Sequence, residues 1–165
     1  MHFYCRCWIV FLALFAGLLS LRAGELPVER IVSLSPSLTE LVYELGFGRY
    51  LVGRSSACDF PDEVKTVTPI GAFGRPNLEV LKGVRAQVLL TTDLENPSYS
   101  QAIEQMGVRV LLLPCESWNE LMQAAGKLCE VMGQPETGRQ WIQSMEQRRS
   151  VLQQQTESFW AHRQR

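Results

Sequence analysis

From Arg30 onward, short runs that are apolar at every position alternate with capped amphipathic stretches, and this pattern constrains the fold more than any other feature. Ile31–Leu34, Gln87–Thr92 (QVLLTT) and Val108–Leu113 (VRVLLL) lack the every-second-residue polarity of a half-solvated strand. Strands of that kind belong to sheets covered by helices on both faces. Leu51–Val52 and Val67–Ile70 are shorter runs of the same type, and Pro61–Lys65 reads as a helical turn. Between the strands, Ser37 is placed to cap a helix over Leu38–Leu45, with Glu40 at the N3 position of a capping box and Gly46 as the stop. Residues 78–82 form a short helix ended by Gly83, Ser98–Met106 one closed by Gly107, and Ser117–Met132 one that starts on a serine cap and stops at Gly133. Strands alternating with helices over about 100 residues imply βαβ units. The expected fold is α/β, a Rossmann-like lobe with a mostly parallel sheet flanked by helices.

In such sheets ligands sit at the carboxyl ends of the strands. The loops expected there are Ser35–Ser37, Gly53–Phe60, Gly71–Asn77, Asp93–Pro97 and Pro114–Glu116. Gly71–Leu81 (GAFGRPNLEVL) stands out among them. Gly71 and Gly74 permit backbone angles that other residues avoid, Pro76 stiffens the end of the loop, and Asn77 is a good N-cap. That arrangement displays Phe73 and Arg75 on a tight loop and puts Glu79 in the first turn of a helix. A core needs no such display, so the segment is expected to touch something outside the chain.

Histidine is nearly absent: His2 and His162 are the two in the chain. A histidine-based triad, a histidine-ligated metal site and most general-base schemes therefore lack their central residue. Gly71-x-x-Gly74 satisfies neither the G-x-G-x-x-G nor the P-loop pattern. Asp59, Asp62 and Glu63 form an acid cluster without a histidine, read most simply as a solvated turn. No catalytic residue and no metal site is expected, and the chain is not read as an enzyme.

The first 23 residues stand apart. Arg6 gives a weakly basic start, Trp8–Leu21 is an uncharged apolar run of 14 residues, and Leu21-Arg22-Ala23 offers a small residue at a cleavage point. That is the layout of a secretory signal peptide, and the run is shorter than the ~20 residues of a spanning helix. Cleavage is expected near Ala23. Removing this segment takes two arginines and no acids, so 16 − 2 = 14 basic residues face 17 acidic ones, a net charge of −3. No nucleic-acid surface is expected from such a balance. Cys58, Cys115 and Cys129 remain, an odd number that matches no zinc spacing. One bridge with a leftover thiol is one reading, buried free thiols the other.

The last segment has a different texture. From Pro135 to His162 nothing after Gly138 breaks a helix, and Ile142, Met145, Leu152 and Phe159 recur at near-helical spacing, with Arg149 and Thr156 in the gaps. About 28 helical residues span about 42 Å. It is either a frayed helix packed on the sheet or a strut.

In order and spacing, RIVSLSPSLTELVYELG, LVGRSSACDFP and GAFGRPNLEVLKGVRAQVLL resemble the N-terminal lobe of periplasmic cobalamin- and iron-siderophore-binding proteins, over about residues 29–160. These are the solute receptors of ABC importers for vitamin B12, siderophores and haem. The resemblance implies two α/β lobes joined by one long helix, with ligand held between them. On that pattern residues 24–134 are the first lobe, residues 135–165 the joining helix, and the second lobe is missing. The implied function is that of the periplasmic substrate-binding component of an importer for cobalamin or a ferric siderophore/haem-type chelate. No covalently bound cofactor is implied. Glu79 of PNLE matches the acid of lobe one that pairs with arginines of the membrane permease; as a plain helix-dipole acid it has a structural use too. Phe73 matches an aromatic that packs on the ligand, the alternative being core packing. Arg75 is placed to face an anionic group or solvent, and Gly74, Ser56 and Ser35 are its neighbours around the cleft. Ala57 stands where the cobalamin receptor has a ligand-contacting tyrosine. Cys58 reads as a packed thiol. The alternative function is a lobe without capture that docks to a permease or self-associates through its exposed helix and cleft.

Overall fold

A computed structural model of the chain describes residues 27–163, so the signal-peptide segment lies outside the described residues. Six strands form one sheet in the order β4-β3-β2-β1-β5-β6, with β1 at Ile31–Ser33, β2 at Leu51–Ser55, β3 at Pro69–Ala72, β4 at Arg75–Pro76, β5 at Val88–Thr91 and β6 at Arg109–Leu112. All neighbours pair parallel except β3 and β4, which form an antiparallel hairpin. Helices α1 (Pro36–Glu44), α2 (Leu78–Gly83), α3 (Ser98–Gln105), α4 (Trp118–Val131) and α5 (Pro135–Arg163) complete the lobe. The sheet is mostly parallel and helices cover both faces, as the apolar runs predict.

The doubly buried strands divide their side chains between two cores. Ile31, Val88 and Leu90 join Leu38, Val42 and Phe47 from the α1 region and Ala125 and Leu128 from α4 on one face. Val32 and Leu89 point the other way, onto Leu81 of α2 and Ile103 of α3. Ile31, Val32, Leu89 and Leu90 are each 0% exposed, so neither face of the central strands is left to water. Each such side chain contributes about 1.5–3 kcal/mol on burial.

Several boundaries differ from the sequence expectation. Ser35, not Ser37, is the N-cap of α1, and its side chain caps no backbone N–H. Pro36 takes the first helical position, where its fixed φ suits the helix and its missing N–H costs nothing. The helix therefore starts two residues early, and Glu40 does not close the predicted capping box. At α2, Asn77 caps as expected, its Oδ1 accepting from the N–H groups of Glu79 and Val80. The left-handed residue that ends this turn is Arg85 (φ 49°), not Gly83. Ser117 and Glu120 form a complete capping box on α4. The 71–77 segment is not only a loop: Gly71 pairs with Pro76 and Ala72 with Arg75, which makes a β-hairpin with Phe73-Gly74 at its tip.

Candidate functional site

The strand order reverses between β1 and β5: the chain goes from β1 out to β4, then returns to lay β5 and β6 on the other side. Loops after β1 and β5 leave the sheet in opposite directions at such a point, and the crevice between them is where open α/β sheets receive ligands. Here its floor is polar and closed. Ser35 is buried, and its hydroxyl lies 3.0 Å from that of Ser37 and 3.4 Å from that of Thr92 in the loop after β5. Beneath it, the Thr39 hydroxyl lies within hydrogen-bonding distance of the Ser33 hydroxyl (2.8 Å), the Ser35 carbonyl (2.9 Å) and the Cys58 thiol (3.1 Å). Ser35, expected as a neighbour around the cleft, is thus buried in the floor of this crevice.

The loop after β2 is fixed by the same network. The Cys58 Sγ is 3.2 Å from the Ser55 hydroxyl, and that hydroxyl accepts from the Ala57 N–H at 3.2 Å. Arg54 donates from Nη1 to the carbonyls of Ser55 and Cys58 at 3.0 and 3.1 Å, so its charge is turned into the loop. Ser56, Ala57, Asp59 and Phe60 remain exposed above these anchors. Cys58, Cys115 and Cys129 are all free, Cys58 packed as expected. Burial raises the Cys115 thiol pKa, with Glu120 adding to the rise and the Ser37 hydroxyl opposing it.

The hairpin supplies the rest. Phe73 is 48% exposed, so the core-packing alternative does not hold. Gly74 (φ +62°) is where the tip turns, and a Cβ there would stand 3.3 Å from the Asp93 carbonyl oxygen and 3.4 Å from the Glu95 nitrogen. That close approach is used: the Glu95 N–H donates to the Gly74 carbonyl at 3.0 Å, and Glu95 Oε2 lies 3.1 Å from Arg75 Nε. The hairpin at one end of the sheet is thus clasped to the loop after β5, across the carboxyl ends of β2 and β1. Both ion-pair partners are more than half exposed, and such pairs contribute at most about 1 kcal/mol. The loop end is rigid on its own account, since Thr91 Oγ1 donates to the Asp93 carbonyl, and Asp93 Oδ1 accepts from the Leu94 N–H at 2.7 Å. Glu79 is exposed in the first turn of α2.

Two residues of the edge escaped the sequence reading. Phe60, 63% exposed, stands with Phe73 among the exposed large hydrophobic residues. Glu95 carries no local signal beyond lying in a loop; its pairing with Arg75 is a product of the fold alone. A concavity of about 750 Å³ lies elsewhere, along the open edge of β6 between Leu112, Pro114, Met122 and Ile142. It holds no convergent set of buried polar groups, so the carboxyl edge remains the better site. Among the described residues no three His, Cys, Asp or Glu side chains gather to hold an ion. No described helix is long and apolar enough to cross a membrane.

No family model matches the chain. A vitamin B12-binding protein of Vibrio vulnificus strain YJ016 is 25% identical over 122 residues, covering 73% of this chain and 45% of the relative. The vitamin B12-binding protein of Photorhabdus laumondii is 29% identical over 129 residues, covering 76% and 46%. In three dimensions a periplasmic haem-binding protein from Pseudomonas aeruginosa superposes with a TM-score of 0.71 at 26% identity, over 79% of this chain and 46% of that one. The chain is thus similar, in sequence and in fold, to vitamin B12-binding proteins and to periplasmic haem-binding proteins. The periplasmic vitamin B12-binding protein of Vibrio cholerae shares the fold, with a TM-score of 0.69 at 24% identity over 80% of this chain and 52% of that one. The chain spans about half the length of the curated relatives it matches.

Proposed function

We propose that this chain is the first lobe of an exported substrate-binding component of an ABC importer, which captures cobalamin or a ferric siderophore/haem-type chelate and performs no chemistry on it. The observation that carries the proposal is the exposed Phe73, held on a clasped hairpin over the carboxyl edge of a parallel sheet. Aromatic side chains fixed in that way offer a flat apolar surface to a planar macrocycle at little entropic cost. Relatives named for vitamin B12 and haem support this ligand class. In this reading Phe73, Gly74, Arg75 and Ser56 border the ligand, with Ser35 beneath them. Glu79 faces the permease, because an exposed carboxylate in a first helical turn is oriented to accept a bidentate arginine pair.

Calorimetric titration of the chain with cyanocobalamin, haemin and a ferric hydroxamate siderophore tests capture, with saturable binding of one of them expected and lost in Phe73→Ala. No binding by the folded chain refutes it. A second reading, a lobe that docks or self-associates without capture, draws on the exposed Val151, Leu152, Phe159 and Trp160 of α5. Sedimentation decides that one: a strictly monomeric chain over the micromolar range removes self-association.

A further inference from the structure

The chelates in this ligand class differ in charge. Haem carries two propionates, whereas the side chains of the cobalamin corrin end in amides and cyanocobalamin is neutral overall. The loops that close the carboxyl edge carry Asp59, Asp93, Glu95 and Glu116 as exposed acids against Arg75 as the one exposed cation. All five side chains belong to exposed residues. Arg75 is itself held 3.1 Å from Glu95. Arg54, half-buried at the end of β2, donates from Nη1 to the carbonyls of Ser55 and Cys58. A carboxylate arriving at this edge meets no uncommitted cation on these loops, and it must compete with Glu95 for Arg75 while facing three further acids. A neutral macrocycle meets no such penalty, and its amides can still donate to the exposed carboxylates.

We infer that Glu95 is a specificity-determining residue, which by occupying Arg75 makes this edge select neutral, amide-bearing macrocycles over carboxylate-bearing ones. This rests on the capture reading and narrows it. Glu95 acts twice: its backbone N–H holds the hairpin tip through the Gly74 carbonyl at 3.0 Å, and its carboxylate cancels the one cation there. The side chain can therefore be neutralised without undoing the backbone clasp. The interaction takes place near solvent, so its strength falls as salt screens it.

The test compares cyanocobalamin with the tricarboxylic acid made from it by hydrolysing three propionamide side chains, a ligand with the same ring and nucleotide. Titrations at low and high salt use the full chain, Glu95→Gln and Arg75→Gln, with haemin as a further anionic probe. The expected result is at least about fivefold weaker binding of the tricarboxylate at low salt, the scale of one exposed charge interaction. In Glu95→Gln, which frees Arg75, the gap closes toward about twofold; in Arg75→Gln it widens. Equal affinities, or a gap insensitive to Glu95→Gln, overturn the inference and leave capture standing, as does haemin binding with neither corrin bound. If none of the three ligands binds, capture and this inference fall together. Circular dichroism of both variants verifies that they are folded, and the opposite directions expected of them separate a charge effect from a damaged hairpin.

Discussion

Gly71→Ala adds one methyl group and is expected to break the hairpin on which the site depends. The Cβ it introduces would stand 2.4 Å from the Arg75 carbonyl oxygen, 2.9 Å from the Asn77 nitrogen and 3.1 Å from the Pro76 Cα. All three are backbone atoms, so no side chain can swing aside. The φ of +150° is also one that residues with a Cβ rarely adopt, which costs about 1–3 kcal/mol by itself. Adding the strain of overpacking, another 1–3 kcal/mol, gives a loss of about 2–6 kcal/mol if the hairpin stays closed. At about 2–4 °C per kcal/mol for a domain of this size, thermal unfolding should move down by about 4–24 °C. The alternative outcome is cheaper: the chain gives up the Gly71–Pro76 pairing, Phe73 and Arg75 lose their placement, and amide exchange accelerates from residue 69 to 77. Gly83→Ala makes the same chemical change twelve residues on, inside α2 and in open space, with no atom within 4 Å of the new Cβ. It should be neutral or stabilising by up to about 1 kcal/mol. Differential scanning calorimetry of the two variants with hydrogen exchange on the first is the assay. A Gly71→Ala chain that melts with the parent and keeps hairpin protection refutes the reasoning, as does equal damage from Gly83→Ala.

Other perturbations act through single contacts. Burial pushes the Cys129 thiol up to about 11 from an ordinary 9.0, so the folded chain holds its proton where the unfolded chain has lost it. That stability is complete below pH 9 and should drain away by about 2–3 kcal/mol as pH rises toward 11; Cys129→Ala should flatten this part of the denaturation profile. Asn77→Ala removes the acceptor for two N–H groups of α2 and should cost about 1 kcal/mol in urea unfolding. Glu79→Gln should leave the fold and ligand binding unchanged while weakening association with permease-containing membranes, measured by co-sedimentation.

Features encoded locally are the ones legible in the sequence. Capping by Asn77 and Ser117 and the apolar strands depend on residues adjacent in the chain, and each is found where expected. The start of α1 shows how two local signals compete: Ser37 and Glu40 spell a capping box, but Pro36 is better suited to the first helical position, and the helix begins there. The β3–β4 hairpin reads as a loop because two residues of pairing leave no periodicity to detect. The long-range features of the site are invisible. Neither the burial of Ser35 beneath the crevice nor the clasp of Glu95 on Arg75 has a trace in the sequence, since each joins loops that only the sheet order brings together. The resemblance to solute receptors singles out Phe73 and Glu79. It carries no indication that Arg75 has a partner of its own.

The two halves of α5 rest on different physics, and that difference can be measured. Its first half packs on α4, with Gly138 buried and Trp141, Ile142 and Met145 half-buried. The last anchors to the lobe are the Trp118 indole N–H, which donates to Glu146 at 2.7 Å, and the Arg149 guanidinium over the Trp118 ring at 5.0 Å. From Ser150 to Trp160 every residue is exposed. Eleven residues are fewer than the 12–15 that make even a good helix marginal in water, so this half persists only as an extension of the packed one. In the isolated chain, amide protection should be high to about Arg149 and fall steeply beyond it, by about a factor of ten or more within two turns. Trp118→Ala should move that boundary toward Met145 without altering protection in the sheet. Uniform protection out to Trp160 would contradict this and mean that Val151, Leu152, Phe159 and Trp160 are covered in solution. Diluting the sample then identifies the cover: protection that disappears on dilution belongs to a second copy of the chain, and protection that survives requires a contact within it.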